Sequence, residues 1–452
     1  MTNLDAAALA QRVTHRTPSG IAEQIRDLVT DGALAPGTRL PTVRDVAQEL
    51  GVSVGTVAQA WGILRDEQVV ETRRRGGTRV VDAAAAGAAG FEGFHTIDLR
   101  FGSPDPALLP PLEEAFASAL KHPSVNSWGR EHMVEELRRA VAPLVPFTPE
   151  AWMSAGGGGE ALWLTLQAAT AEQHAMLAVE TPASPGVLDT IRQLGVATVA
   201  VETDDDGPIP SSLAEALGAG ATAFIHSPAG GFSDRHLLTA ERAQQLAEVL
   251  SGTETLLIED EPLGPLAAEA SSLGELVPER TVRVLTFCRA VGVDLRTAVL
   301  AGPRRLLERA AALRAGGLGS NSRILQLALA AVLNEPRAQH VMRQAQRQYA
   351  ARRRLALEAF SDAGLKATSG PGSWSVWVEV PEESAAALAL SGQGVIVDVA
   401  ASSYLQPSQS RQDSAGRLRL TVAQLPEDPA KLSELAALIA QAGQGTLRTS
   451  LV

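Results

Sequence analysis

Four short apolar runs, set between helical and turn-forming stretches, constrain the fold of this chain more than any other feature. They are AMLAVE (175–180), TAFIHS (222–227), TLLIED (255–260) and RVLTF (283–287), with amphipathic patterns around VLDTIRQLG and AERAQQLAEVL between them. Near-continuous apolar strands alternating with helices bury both faces of a sheet, which requires crossover units and mainly parallel pairing. From residue 303 the pattern turns helical through PRRLLERAAALRA and RAQHVMRQAQRQYAARRRLALEAF. It ends in an α+β segment in which SWSVWVEV alternates as a half-buried strand. The predicted class is α/β.

The first 82 residues obey a different period. PSGIAEQIRDLVT (18–30) puts Ile21, Ile25, Leu28 and Val29 on one helical face. GALAPGTRLP is a turn, Thr42 caps a short helix in TVRDVAQEL, Gly51 ends it, and Ser53 caps the next helix. QVVETRRRGGTRVVD then reads as two strands around a basic, glycine-containing tip. Three helices and a two-stranded wing make a winged helix-turn-helix. Its expected span is 12–82, followed by a small-residue linker over 83–96 and a large domain over 97–445.

Net charge is −12, which excludes binding nucleic acid over the whole surface and confines any such contact to a local basic patch. Arg44, at the second helix, can hold a phosphate; Ser53 and Thr56 start the helix placed to enter a major groove. Arg73, Arg74, Arg75 and Arg79 flank the tip at Gly76 and Gly77, where glycine permits a tight turn and arginine suits phosphate or minor-groove contact. The competing reading is a solvated basic hairpin on a protein-binding domain. No run reaches the ~18 apolar residues of a membrane span, no signal-peptide pattern is present, and the lone Cys288 suits a cytoplasmic chain without disulfides.

The segment APGTRLPTVRDVAQELGVSVGTVAQAWGILRDEQVVETRRRGGTRVV (35–81) resembles the GntR winged-helix signature almost position by position. That resemblance implies double-stranded operator DNA as partner, with Arg44, Ser53, Thr56 and the wing around Gly77 as contacts. Val54 departs from it, since the family often carries arginine there. The rest of the chain resembles a fold-type I aminotransferase as found in MocR-like regulators. FGSPDPALLP, the glycine-rich MSAGGGGEALWLTLQAA, IEDEPLG, HVMRQAQRQYAARR and GRLRL carry the likeness in order.

The resemblance also defines what is missing. A pyridoxal phosphate (PLP) enzyme needs a lysine amine for its Schiff base, a carboxylate at the ring nitrogen, a stacking aromatic and donors for the phosphate. The family's serine-lysine pair falls on Cys288 and Arg289, and a guanidinium, with pKa above about 12, forms no Schiff base. The only lysines, Lys121, Lys366 and Lys431, lie in outer or late stretches. Ser184, Leu263 and Ser227 stand where the family places other cofactor contacts. Asp260 remains at the ring-nitrogen position, Thr286 and Arg296 match the phosphate cup, Gly158 and Gly159 offer N–H groups at a helix start, and Arg419 matches the substrate-carboxylate arginine.

The expectation is a homodimeric DNA-binding regulator, not an enzyme. Covalent PLP is not expected. Its pocket, made of Gly158, Gly159, Ser184, Ser227, Asp260, Thr286, Arg289, Arg296 and Arg419, would hold a phosphorylated or carboxylated small molecule. The alternative is a large domain that only dimerises; an active aminotransferase is the third, weakest reading.

Overall fold

The computed structural model describes residues 5–30, 33–34, 38–66, 69–73, 77–80, 97–100, 102–126, 131–171, 175–315, 319–405 and 416–447. The chain separates into two compact units, Met1–Thr96 and Ile97–Val452.

The first unit contains α1 (Ala6–Ala10), α2 (Pro18–Thr30), α3 (Val43–Leu50), α4 (Val54–Asp66), β1 (Val70–Arg73) and β2 (Gly77–Val80). Thr42 caps α3 by accepting from the Asp45 amide, and Gly51 closes it in a left-handed conformation with φ of 64°. Leu9, Ile21, Ile25, Val46, Leu50, Val57 and Leu64 meet in one core. Two features differ from the sequence reading. A fourth helix, α1, precedes residue 12 and buries Ala6 and Leu9. The segment read as pure turn also contributes a strand-like edge: Leu40 N donates to Thr78 O at 2.8 Å and Val80 N to Thr38 O at 3.0 Å. Pro41, which has no N–H, ends that pairing.

In the second unit β3 (Ile97–Asp98) is followed by α5 (Glu113–Leu120), α6 (Glu135–Val141), β4 (Ala151–Ala155), α7 (Gly158–Ala169), β5 (Met176–Thr181) and α8 (Pro185–Leu194). Then come β6 (Ala197–Asp204), β7 (Gly207–Pro208), α9 (Pro210–Gly218), β8 (Ala223–His226), α10 (Ala240–Leu250), β9 (Leu256–Glu261), β10 (Thr281–Thr286), α11 (Cys288–Val291) and β11 (Ala298–Gly302). The chain continues through α12 (Arg304–Ala315), α13 (Arg323–Asn334), α14 (Pro336–Asp362), β12 (Ala367–Thr368), β13 (Ser375–Val380) and α15 (Glu383–Ser391). It closes with β14 (Val395–Ile396), β15 (Asp398–Val399), β16 (Gly416–Thr421) and α16 (Pro429–Gly443).

The main sheet has order β4-β11-β10-β9-β8-β5-β6-β7. Pairing is parallel from β10 through β9, β8 and β5 to β6, and antiparallel on both sides of β11. All four apolar runs read from the sequence are therefore central strands, as expected for a sheet covered on both faces. A second sheet, β12-β13-β16-β15, forms the C-terminal α+β part with α15 and α16. Residues at the C-terminal ends of β5, β8 and β9 line one cavity, at the usual ligand position in such sheets.

Candidate functional site

In the winged helix, Arg44 is exposed on α3. Ser53 precedes α4 and its Oγ accepts from the Thr56 amide at 3.0 Å, while the Ser53 and Thr56 hydroxyls lie 2.8 Å apart. The cap thus orients the two hydroxyls together at the exposed start of α4, next to Val54, which is 50% exposed. Arg73 and Gly77 are register partners at the end of the wing, as are Glu71 and Arg79. Arg74 and Arg75 lie outside the described residues.

In the large domain the crevice is lined by charge. Asp260, at the end of β9, is 4% exposed; burial and the adjacent Glu261 push its pKa up to about 7, against the opposing pull of Arg289. Burial likewise pushes Glu261 up to about 7, with Arg283 opposing. Register neighbours on β8, β9 and β10 bring buried His226 and Glu259 and half-buried Arg283 into one row, with Arg283 Nη1 2.7 Å from Glu259 Oε2. Glu180, at the end of β5, accepts from the Ser227 amide at 3.2 Å.

Ser184 and Ser227 use their hydroxyls locally. Ser184 caps α8 by accepting from Val187 N at 3.3 Å, and Ser227 Oγ accepts from Gly231 N at 3.4 Å. Together with Glu180, Phe232 and Asp260 they line a cavity of about 20 Å³. That is room for roughly one water molecule.

Arg289 lies at the start of α11. Its Nη1 donates to the Pro262 carbonyl at 3.0 Å, and its guanidinium carbon sits 5.1 Å from the Phe232 ring centre and 5.9 Å from that of Trp374. The cation rests between two aromatic faces. Trp374 reaches this position because Gly102 has no side chain: a β-carbon there would lie 2.4 Å from the indole Nε1. Lys121, Lys366 and Lys431 are all exposed to solvent, away from this buried centre.

Beside it, α7 begins in the glycine run. Gly157 has φ of 109°, and a β-carbon on Gly158 would approach Thr286 Oγ1 to 2.8 Å, whereas one on Gly159 would meet open space. Arg296 is exposed in a left-handed conformation with φ of 42°, its Nε 3.8 Å from where a Gly157 β-carbon would stand. The N-terminus of α7, the Thr286 hydroxyl and the Arg296 guanidinium thus lie close together, an arrangement chemically able to hold an anion, while Glu160 in the first turn of α7 accepts from the Gly156 amide. Arg296 makes no hydrogen bond or ion pair among the described residues.

Arg419 on β16 is 1% exposed and donates from Nη2 to Asp398 Oδ2 on the neighbouring strand β15. Its guanidinium carbon is 5.7 Å from the Phe232 ring centre. Burial holds its pKa below the ordinary arginine value; Asp398 offsets this and Arg289 adds to it. Phe232, Trp374, Pro262 and Asp398 were not read from the sequence as site residues. The GSWSVW segment marked a strand, but nothing local says which side chain meets Arg289.

The family Bacterial regulatory proteins, gntR family matches residues 17–80, and the family Aminotransferase class I and II matches residues 95–438. The chain is 30% identical over 373 residues to the HTH-type pyridoxine biosynthesis transcriptional regulator PdxR of Corynebacterium glutamicum, covering 76% of this chain and 79% of that one. It is 28% identical over 394 residues to the vitamin B6 salvage pathway transcriptional repressor PtsJ of Salmonella typhimurium, covering 84% and 90%. An archaeal alanine:glyoxylate aminotransferase superposes with a TM-score of 0.69 at 21% identity, covering 78% of this chain and 92% of that one, which establishes the fold. With the winged helix at one end and the aminotransferase fold filling the rest, the chain belongs to the GntR family of transcriptional regulators, in its MocR-type group with an aminotransferase class I and II domain.

Proposed function

We propose that this regulator binds double-stranded operator DNA through Arg44, Ser53, Thr56 and the wing, and that its large domain senses an anionic small molecule without forming a Schiff base. The observation that carries the second part is Arg289. A permanently protonated guanidinium occupies the lysine position, hydrogen-bonded to Pro262 O and packed on Phe232 and Trp374. PLP, which this fold ordinarily carries, does not fit as aminotransferases hold it. The amine is missing, and the cavity beside Asp260, Ser184 and Ser227 has about 20 Å³ free where ligand pockets run to roughly 300 Å³ or more.

The anion cup supports a ligand of another kind. Gly158, Gly159, Thr286 and Arg296 offer donors to a phosphate group, and Arg296 has no protein carboxylate to neutralise it among the described residues. The large domain also pairs two copies of the chain. Exposed Leu120 and Val293, 60% and 48% accessible in the single chain, and the two-fold symmetry usual in operators support this.

A thermal-shift screen of the full chain with inorganic phosphate and phosphorylated metabolites tests the sensing role. A ligand at about 100 times its Kd raises stability by about 2.7 kcal/mol. The shift should vanish in Arg296→Ala. The contact of Arg419 with Asp398 favours a second reading, in which the large domain only dimerises. A screen without any shift, together with unchanged regulation in Arg296→Ala, would establish that reading instead.

A further inference from the structure

The two anion-binding features of the large domain differ in one respect. Arg296 is exposed and makes no ion pair among the described residues, whereas Arg419 already holds a carboxylate. We infer that Asp398 is a built-in substitute for a ligand carboxylate, which closes the Arg419 subsite and restricts the effector to anions held by phosphate. This rests on the effector reading above and narrows its ligand class.

The geometry behind it is built into the fold. Asp398 and Arg419 are register partners on β15 and β16, so the backbone ladder itself delivers the carboxylate to the guanidinium. A group tethered in position has a high effective concentration and has already lost its freedom of movement. A dissolved carboxylate competing for Arg419 must displace this group and shed its own water in a site where Arg419 is 1% exposed. Asp398 retains 26% side-chain exposure, so the pair sits at the border between the buried guanidinium and solvent, where a ligand would enter.

The remaining donors point to the same place. Arg419 Nε and Nη1 and Arg289 Nε are buried without hydrogen-bond partners among the described residues. Both guanidiniums pack on Phe232, at 5.1 Å and 5.7 Å from its ring centre. A buried and a half-buried cation therefore share an aromatic ring, and among the described residues Asp398 is the one carboxylate in ion-pair contact with either. Removing that carboxylate leaves two adjacent, under-neutralised guanidiniums. Such a pair is a strong receptor for an external carboxylate, because charge-assisted bonds to arginine are among the stronger polar contacts.

The test uses the full chain and two probes, maleate and inorganic phosphate, with affinity read by calorimetry and folding by thermal denaturation. In the wild type, phosphate binds through the cup and maleate shows no Arg419-dependent binding. In Asp398→Asn, maleate affinity rises about tenfold or more, phosphate affinity stays unchanged, and the added Arg419→Gln substitution abolishes the gain. Asp398→Ser, smaller and equally neutral, asks the same question if the amide variant does not fold.

Maleate binding to the wild type that is lost in Arg419→Gln overturns the inference. So does a folded Asp398→Asn chain that gains no maleate affinity. Absence of any phosphate binding in the wild type, with the maleate gain intact, overturns the phosphate restriction and the effector reading together, while leaving Asp398 as the group that closes Arg419.

Discussion

Arg283 on β10 and Glu259 on β9 are register partners in a parallel pair, their charged atoms 2.7 Å apart with side chains 11% and 0% exposed. Ser272 Oγ donates to the same carboxylate at 2.8 Å, and together these partners hold Glu259 below the ordinary carboxylate range despite its burial. Breaking one side of such a pair leaves a buried charge uncompensated, at a cost of about 3–5 kcal/mol. Arg283→Met should lower the denaturation midpoint accordingly, and adding Glu259→Gln should recover much of the loss. Urea unfolding of both variants measures this; equal destabilisation of the single and double variants would contradict it.

On the proposed reading, a lysine at position 289 alone should not create a PLP site. In Arg289→Lys the amine returns, but Ser184, Leu263 and Ser227 still stand where the family places other cofactor contacts, and Trp374 still packs over Gly102. Incubation with PLP followed by borohydride and peptide mapping should leave residue 289 unmodified, with exposed Lys121, Lys366 and Lys431 as the internal reference for surface reaction. A stable adduct on residue 289 would show that the ring space opens more readily than its 20 Å³ suggests.

Asp260 gives the large domain a specific pH signature. Its carboxyl binds a proton more tightly in the folded chain, with pKa about 7, than at its ordinary value of 3.8. The destabilising contribution is therefore absent below the ordinary value, grows as pH rises, and is complete above about 7. Asp260→Asn should be more stable than the wild type at about pH 8 and lose that advantage at about pH 4. Thermal denaturation across this window decides it, and an advantage independent of pH would exclude burial of the charge as its source.

The DNA face separates into charge and scaffold. Arg44→Ala should weaken binding alike across DNA sequences and reduce the slope of log affinity against log salt by about one. Ser53→Ala removes a helix cap and should in addition lower the stability of the winged helix by about 1 kcal/mol. Fluorescence anisotropy at several salt concentrations, paired with melting curves, distinguishes the two. An Arg44→Ala chain with unchanged salt dependence would move the DNA face elsewhere.

What the sequence revealed and what it concealed divide by the range of the interaction. The strand at TLLIED, the cap at Thr42 and the stop at Gly51 were legible because each depends on neighbours within a few residues. Arg289 stood out in the sequence because a single residue type decides whether a Schiff base can form. The edge contributed by Thr38–Leu40 was hidden, since a three-residue segment has no period of its own and gains its pairing from β2. Asp398 was hidden for a similar reason: only the register of β15 on β16 brings it to Arg419. Phe232 and Trp374 converge on Arg289 from separate parts of the chain, a juxtaposition no local pattern encodes.

The closeness of Trp374 to Gly102 also gives the protein an optical property. The indole is 3% exposed, its Nε1 donates to the Gly102 carbonyl at 3.3 Å, and one face lies toward the Arg289 cation. A fluorophore in that setting senses the local electric field, so anything that shifts Arg289 will alter the colour and intensity of its emission. Trp374 thereby serves as a native dye for the state of Arg289, readable as the difference in emission between this chain and Trp374→Phe without any added label.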